Sequence, residues 1–270
     1  VPFVLLVESN DRDPRPGWRR IVKALVVPRV LRGTAAVLVV GSLARDAMVA
    51  RGVPPERISV FADAIDVATF AGARARLEPD RDALRADVGL GPDDVGVLCV
   101  SRLAPEKGLD TLVRAVAEAA DERLVVLLAG AGPEGDRLRA LAARLGVRLV
   151  LLPHVPWAEI ALRYVLADVF ALLSRHEPWA VVVNEAAASG LPLVLSDRVG
   201  AAHDLVREGE NGFRVPADDH VAAGRAIRAL AVDPELRRSA GARSLELVRD
   251  WDYDASIENL VAVVQRLARR

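Results

Sequence analysis

The sequence lacks the features of a disulfide-bonded, nucleic-acid-binding or membrane-spanning protein. Its 270 residues include one cysteine, Cys99, so no internal disulfide can form, and we expect a buried thiol and a cytoplasmic setting. The 36 Lys and Arg residues against 37 Asp and Glu leave no basic excess for a nucleic-acid partner. No apolar run approaches the roughly twenty residues of a membrane-crossing helix. With 52% hydrophobic residues, the chain can instead bury a large core.

Short apolar runs alternate with amphipathic stretches along most of the chain. This alternation predicts an α/β fold in which helices cover both faces of parallel, doubly wound sheets. The predicted strands are Pro2–Val7, Ala36–Val40, Ile58–Phe61, Val95–Val100, Leu124–Ala129, Val147–Leu152, Val169–Leu173, Leu191–Ser196 and Phe213–Val215.

A change in composition at Ala71–Asp94, which has no strong apolar run, predicts a domain junction. We expect a first domain over residues 1–75, a second over 76–250 and a C-terminal helix over 251–270 that packs back toward the first domain. The first part has only three strand candidates, too few for a complete doubly wound sheet. We therefore interpret it as half of an N-terminally truncated domain. A small independent α/β module is the alternative.

Two cations follow the predicted strand Val95–Val100, in the segment S-R-L-A-P-E-K-G. Ligands of doubly wound sheets bind beyond the carboxyl ends of the strands, so Arg102 and Lys107 are placed where a diphosphate would lie. Arg offers a planar fork for phosphate oxygens, and Lys offers a mobile point charge. A solvated loop that begins a helix at Pro105 is the alternative interpretation.

The segment Gly130–Gly135 after the next strand matches G-x-G-x-x-G, a weak signal for dinucleotide binding. That interpretation needs an acidic residue about twenty positions further on, and Val147–Val155 contains no Asp or Glu. We reject the dinucleotide interpretation. Gly130 and Gly132 remain candidates for a glycine-lined turn near the ligand.

Two glutamates flank the start of a predicted helix after the strand that ends near Leu173. Glu177 lies in the loop, and Glu185 lies about two turns into the helix that Gly190 and Pro192 end. The free amides at a helix start can receive an anion, so the two carboxylates could grip hydroxyl groups on either side of a phosphate. An exposed loop Glu and a helix-surface Glu are the alternative.

Several motifs, in the same order, resemble the retaining GT-B glycosyltransferases of family 4, or glycosyl transferases group 1. Glu177 and Glu185 match the family's E-x7-E signature within E-P-W-A-V-V-V-N-E-A-A-A-S-G-L-P. Further matches in the second part are S-R-L-A-P-E-K-G, L-L-A-G-A-G-P-E, S-D-R-V-G-A-A-H-D-L-V and E-G-E-N-G-F-R-V-P. The first part contributes V-G-S-L-A-R-D and E-R-I-S-V-F-A-D-A-I-D-V-A-T-F, and Asp250-Trp251 precedes the last helix, so the resemblance covers nearly the whole chain. It implies a GT-B fold of two Rossmann-like domains, the first incomplete.

The resemblance also implies a metal-independent, cofactor-free reaction. A sugar would move from a nucleotide-diphosphate sugar, such as a UDP- or GDP-sugar, to a hydroxyl of a sugar or lipid-linked acceptor, with retained configuration. Arg102 and Lys107 would hold the diphosphate, and Glu177 would contact the donor sugar. Glu185 would bind the ribose hydroxyls. Further residues that would line the donor site are Gly130, Gly132, His154, Trp179, Ala180, Val181 and Val182.

Departures from the family pattern keep two other functions open. Ala180 stands where the family commonly has Gly after Pro-Phe, which places a methyl group where a phosphate approaches. Glu8-Ser9-Asn10 stands where a reaction-centre His is usual. The alternatives are a non-catalytic nucleotide-sugar-binding module and a nucleotide-sugar epimerase of the same architecture.

Basic and apolar residues are interleaved over residues 15–33, with no acidic residue between Pro14 and Ala44. This pattern predicts a basic helix that contacts an anionic membrane surface. A helix that packs on the sheet with a solvated basic face is the alternative.

Overall fold

The computed structural model describes residues 3–8, 17–61, 63–153, 155–156 and 159–269, with backbone only over 17–24. It divides the chain into two compact units. The first comprises Val1–Ile65 and Asp250–Arg270, and the second comprises Asp66–Arg249.

The first unit contains a parallel sheet of three described strands in the order β1, β2, β3. These are β1 (Phe3–Val7), β2 (Thr34–Val39) and β3 (Ile58–Val60), and the helices are α1 (Gly17–Gly33), α2 (Ser42–Val49) and the C-terminal α12 (Tyr253–Ala268). Val263 of α12 is buried with Ala36 and Leu38 of β2 in one apolar cluster. The last helix therefore belongs to the core of the first unit.

The second unit is built around a six-stranded parallel sheet in the order β6-β5-β4-β7-β8-β9. Its strands are β4 (Val95–Val100), β5 (Leu124–Ala129), β6 (Arg148–Leu152), β7 (Val169–Leu172), β8 (Leu193–Ser196) and β9 (Gly212–Val215). Its helices are α3 (Val67–Leu77), α4 (Arg81–Asp87), α5 (Leu109–Ala119), α6 (Gly135–Leu145), α7 (Ala161–Val165), α8 (Val181–Ala188), α9 (Ala202–Leu205), α10 (His220–Val232) and α11 (Pro234–Leu247).

The central strands of this sheet are covered on both faces. Every residue of β5, β7 and β8 is buried, and apart from Ser196 at the end of β8 these strands are apolar throughout, without a polar alternation. Asp residues cap several of the surrounding helices: the side chain of Asp219 accepts from Ala222 N at 2.9 Å before α10, and that of Asp233 accepts from Leu236 N at 3.0 Å before α11. The two parallel sheets confirm the predicted α/β fold class.

The observed boundary between the units differs from the predicted one after residue 75. Helix α3 begins directly after Asp66, whose side chain accepts from Thr69 N at 2.9 Å, and it belongs entirely to the second unit. The reason is packing: Phe70 of α3 is buried edge-to-face on Tyr164 of α7, with ring centroids 5.8 Å apart. A helix that contributes an aromatic ring to a core is part of that domain rather than a linker.

Candidate functional site

The order of strands in the second unit creates a switch point between β4 and β7. These two strands are neighbours, yet β5 and β6 extend the sheet on one side while β8 and β9 extend it on the other. Loops that follow β4 and β7 therefore leave in opposite directions and open a crevice at the carboxyl edge of the sheet. These loops, Ser101–Gly108 and Leu173–Ala180, contain five of the eleven predicted site residues: Arg102, Lys107, Glu177, Trp179 and Ala180.

The structure brings Lys107 and Glu177 together as an ion pair between the two loops. Lys107 Nζ donates to Glu177 Oε2, and the two side chains are only 15% and 18% exposed. Ser174 Oγ lies 3.5 Å from the same carboxylate oxygen. A pair in which each charge is so far removed from water is held in place strongly, because separating it would leave an unpaired charge.

Gly108 permits this close approach of the loops. Its φ is +63°, and a Cβ atom there would lie 2.0 Å from the carbonyl oxygen of Leu173. Any larger residue would push the loop after β4 away from the loop after β7. The position of Lys107 beside Glu177 thus depends on the glycine that follows it.

Arg102 does not join this pair. Its side chain is 73% exposed and donates to Glu106 Oε1 at 2.6 Å, so it faces solvent in the structure. The sequence placed Arg102 and Lys107 together because both follow β4. A segment of loop and a short 3-10 helix, Pro105–Lys107, turn Lys107 inward while Arg102 stays at the rim.

Gly130 and Gly132 provide close backbone packing beneath the loop after β4. Their φ values are +150° and +159°, and added Cβ atoms would lie 1.9 Å from Ser101 O and 2.3 Å from Leu103 O, respectively. The glycine turn therefore supports the loop that carries Arg102 and Lys107. Gly130 also lines a cavity at this edge together with Val182.

The predicted phosphate cradle is the start of α8. The first amides of a helix have no partner within it, so those of Val181 and Val182 can face an anion. Ala180 precedes them with φ +90° and ψ +84°, a left-handed conformation that a side chain disfavours.

Trp179, which is predicted to line the donor site, lies inside the domain in the structure. The residue is only 3% exposed, and its Nε1 donates to Asn184 Oδ1 at 3.1 Å. Its ring anchors the loop within the domain, because the apolar surface of a tryptophan is buried when its N–H finds a partner inside.

Glu185 is a buried residue of α8 and accepts a hydrogen bond from the hydroxyl of Tyr164. Burial raises the pKa of Glu185, and the hydrogen bond from Tyr164 opposes the rise. Burial, followed by the charge of Glu185, also raises the pKa of Tyr164 well above its ordinary value. The carboxyl group of Glu185 is thus already fixed by one hydrogen bond, from the phenolic hydroxyl of Tyr164, before any ligand binds.

His154 lies outside the described residues, as do residues 15 and 16 of the predicted membrane-contacting segment. Residues 17–33 form α1, as expected for a helix. In the described part of the chain, no helix is long and apolar enough to cross a membrane.

The family follows from a comparison with known proteins. Residues 80–246, more than half of the chain, match the family model described as glycosyl transferases group 1. The chain belongs to this family. The match covers the switch-point loops, the Lys107–Glu177 pair and Glu185.

Curated relatives of this family member include two D-inositol 3-phosphate glycosyltransferases. One, from Nocardia farcinica, is 35% identical over 212 residues, covering 74% of this chain and 47% of the relative. Another, from Acidothermus cellulolyticus, is 34% identical over 287 residues, covering 95% of this chain and 60% of the relative. The group 1 chain spans about half the length of the curated relatives it matches.

Solved structures show that this group 1 chain has the GT-B fold. Anabaena HepE in complex with UDP superimposes with a TM-score of 0.82 at 21% identity, over 100% of this chain and 72% of that chain. Sucrose-phosphate synthase from Thermosynechococcus elongatus gives a TM-score of 0.77 at 24% identity, over 98% and 68%.

Three residues of the site region escaped the sequence analysis of this glycosyltransferase family member. Tyr164 holds Glu185, and Arg163 lines the cavity beside Gly130. Arg175 donates to the carbonyl oxygen of Pro105 and to Asp110 at 3.0 Å, so it ties the loop after β7 to the loop after β4. Only Arg175 carried a signal, since it lies two positions before Glu177.

Proposed function

We propose that the chain forms the donor-binding part of a retaining family 4 glycosyltransferase that uses a nucleotide-diphosphate sugar. The observation that carries this proposal is the Lys107–Glu177 ion pair at the switch point of the sheet. A cation and a carboxylate at this place match the two ends of a sugar diphosphate, one anionic and one rich in hydroxyl groups.

Donor binding would exchange the partners of this ion pair. The diphosphate would bind the ammonium group of Lys107 and the amides at the start of α8. The dipole of α8 would also favour negative charge at this end of the helix. Glu177 would then be free to accept hydrogen bonds from hydroxyl groups of the donor sugar. Arg102, which pairs with exposed Glu106 at the rim, would turn toward the outer phosphate.

In the proposed reaction the bond between the anomeric carbon and the diphosphate oxygen breaks, and the acceptor oxygen forms a bond to the same face of that carbon. The acceptor proton passes to an oxygen of the departing phosphate. Lys107 and the α8 amides would stabilise the negative charge that develops on the leaving group. Such stabilisation by preorganised charges and N–H donors is usually the largest single contribution to catalysis.

We propose a metal-independent reaction without a cofactor. In the part of the chain that the structure describes, no three His, Cys, Asp or Glu side chains come together as metal ligands. The charge of the leaving group would be balanced by Lys107 and Arg102 instead. Transfer that persists unchanged in EDTA supports this part of the proposal, and restoration of activity by added Mg²⁺ or Mn²⁺ after EDTA contradicts it.

The first test is a thermal-shift titration with UDP, GDP and ADP. A nucleotide that binds only the folded state raises the melting temperature as its concentration rises above Kd. We expect one nucleotide to stabilise the chain, and Lys107→Met and Glu185→Gln each to reduce its affinity at least tenfold. Arg139→Met is the matched control, because Arg139 is 60% exposed on α6 and pairs with exposed Asp136.

Product analysis then separates the proposed transferase from the other functions. Incubation with UDP- and GDP-sugars and hydroxylated acceptors should yield a glycoside of retained configuration. The relatives are named for inositol 3-phosphate, so this acceptor belongs in the panel beside simple sugars and lipid-linked sugars. Formation of an epimerised free nucleotide-sugar without any glycoside would contradict the proposal. An unchanged nucleotide affinity in Lys107→Met and Glu185→Gln would contradict it as well.

We further propose that the chain works at the cytoplasmic face of a membrane through residues 15–33. In α1, Leu25 is 58% exposed, Val26 is 50% exposed and Val30 is 38% exposed, next to exposed Arg29. Exposed apolar side chains beside cations favour an anionic lipid surface. The chain should sediment with phosphatidylserine vesicles at low salt, and Val26→Asp should lower the fraction that binds to them. Equal recovery with uncharged vesicles would contradict the proposal.

A further inference from the structure

Arg175 connects three separate segments of the second unit. Its Nη1 donates to the carbonyl oxygen of Pro105, in the loop after β4. Its Nη2 donates to both carboxylate oxygens of Asp110 in the first turn of α5, at 3.0 and 3.2 Å, and its Nε lies 2.8 Å from Oδ1 of Asp218, which precedes α10. Each nitrogen of the guanidinium therefore has a protein partner. Because a guanidinium is planar and rigid, it fixes the distances between the segments that it joins.

One of these segments is the short 3-10 helix that ends at Lys107. Besides the side-chain hydrogen bond to the start of this helix, the backbone N of Arg175 donates to the carbonyl oxygen of Glu106 at 2.8 Å. On the other side of Lys107, Gly108 packs closely on the backbone of Leu173. The backbone at Lys107 is thus held between two contacts, and both are made with the loop after β7.

The charges around Arg175 favour an indirect role over direct attraction of an anion. Its single guanidinium faces the carboxylates of Asp110 and Asp218, so negative charge is in excess at this point. A cation that two carboxylates already neutralise adds little attraction for a diphosphate. Arg175 would therefore influence a ligand through the segments that it joins.

We infer that Arg175 is a positioning residue that fixes the ammonium group of Lys107 for the diphosphate of a nucleotide donor. This inference rests on the proposed donor site and adds a residue that would not itself touch the donor. With the backbone around Lys107 held, the exchange of Glu177 for the diphosphate requires rotation of the lysine side chain and no ordering of the loop. Less conformational freedom is then lost on binding, so the affinity is higher than with a mobile loop.

A double-mutant cycle, measured by isothermal titration of the full chain, tests the inference. The ligand is whichever of UDP, GDP and ADP binds the unmodified chain most tightly. Arg175→Lys keeps the positive charge but replaces the fork with one nitrogen, so we expect about 3- to 10-fold weaker binding. Lys107→Met should weaken binding at least about tenfold in the unmodified chain but less than about threefold in Arg175→Lys, because an ammonium group that is no longer fixed contributes less.

Two controls separate positioning from a general loss of structure. Glu185→Gln should keep its full loss of affinity in the Arg175→Lys background, because Glu185 lies on α8 and is held by Tyr164. Arg139→Lys on α6 should change neither the affinity of the chain nor the effect of Lys107→Met, since Arg139 is 60% exposed.

Three results would overturn the inference while leaving the donor site intact. The first is an unchanged affinity in Arg175→Lys, and the second is an undiminished effect of Lys107→Met in that background. The third is an equal reduction of the Lys107→Met and Glu185→Gln effects, which would show that the whole site has loosened.

Asp110→Asn provides a second variant if Arg175→Lys fails to fold, because it removes one acceptor of the guanidinium and keeps Arg175. Its effect should also be less than additive with that of Lys107→Met, and additive losses would overturn the inference. Absence of nucleotide binding to the unmodified chain would instead remove the proposed function and this inference with it.

Discussion

Ala180 connects backbone conformation to the chemistry of the site. Its φ of +90° is one of three positive values among the described non-glycine residues, and it directly precedes the helix start that would face a phosphate. A side chain in this region costs about 1–2 kcal/mol, and glycine avoids that cost. The anchoring of Trp179 and the pairing of Glu177 with the neighbouring loops hold Ala180 in this conformation.

We expect Ala180→Gly to stabilise the chain. Relief of the left-handed strain outweighs the greater freedom of glycine in the unfolded chain, so the free energy of unfolding should rise by about 0.5–1 kcal/mol. Urea denaturation measures it. The matched control is Ala186→Gly inside α8, which should destabilise the chain by at least about 1 kcal/mol. A loss of stability in Ala180→Gly would contradict the strain argument.

For individual residues, the sequence predicted the residue types of the site better than the contacts that they make. Lys107 and Glu177 were expected to bind different parts of the donor, and nothing in a linear sequence reveals that they pair across 70 positions. The burial of Trp179 and the outward position of Arg102 depend on how two loops pack. Tyr164 and Arg163 escaped notice because they lie in a segment that reads as ordinary amphipathic helix.

Among the secondary-structure elements, α4 shows how a polar network fixes a helix to the sheet. Asp168, directly before β7, accepts from Arg81 Nη2 at 2.8 Å and from Arg85 Nη1 at 2.9 Å. It also accepts from the amide of Gly96 in β4 at 2.8 Å. One carboxylate thus joins α4 to the two strands that flank the switch point.

The pKa of Asp168 links this network to pH. Burial raises the pKa, but Arg81, Arg85 and the Gly96 amide together outweigh burial and leave it below its ordinary value. A carboxyl group with a depressed folded pKa stabilises the fold above its unfolded pKa, near 3.9. That stabilisation is lost as the pH falls from there through the folded pKa.

We expect Asp168→Asn to lower the free energy of unfolding at pH 7 by about 3–5 kcal/mol, because it leaves the buried guanidinium of Arg85 and the partly buried guanidinium of Arg81 without their anion. The difference from the unmodified chain should shrink as the pH falls below about 4. Urea denaturation at several pH values measures both. Asp136→Asn is the control, since the Asp136 side chain is 97% exposed. A difference between Asp168→Asn and the unmodified chain that stays constant down to pH 3 would contradict the linkage.

Elements were more predictable than contacts, for a physical reason. The runs Val95–Val100 and Leu124–Ala129 coincide with β4 and β5, because a strand buried on both faces must be apolar along its whole length. The junction was less predictable. Ala71–Asp94 is rich in Ala, Arg and Asp and resembles a linker, yet Arg85 within it is buried against Asp168. Composition records the charges and cannot show that they are paired.

For the whole molecule, chain order and domain membership differ at the C-terminus. Helix α12 follows the second unit in sequence but belongs to the first, where Leu260, Val263 and Leu267 face β2 and β3. The backbone adds to this: Ile65 N donates to Trp251 O at 3.4 Å, and Tyr253 N donates to Ile65 O at 3.2 Å. The first unit is therefore closed by residues far apart in the chain.

This arrangement predicts that two neighbouring valines of α12 respond very differently to the same substitution. Val263 is 2% exposed against β2, whereas Val264 is 54% exposed. Val263→Asp should lower the stability of the first unit by more than about 3 kcal/mol, because it removes apolar contacts and buries a charge. Val264→Asp should change it by no more than about 0.5 kcal/mol.

Hydrogen exchange at the β2 amides reports the first unit directly, and the β5 amides serve as an internal reference in the second. Because the second unit has its own sheet and core, Val263→Asp should speed exchange in β2 and leave β5 protected. Equal loss of protection in both strands would show that the two units unfold as one, and equal effects of the two substitutions would refute the packing of α12 on β2.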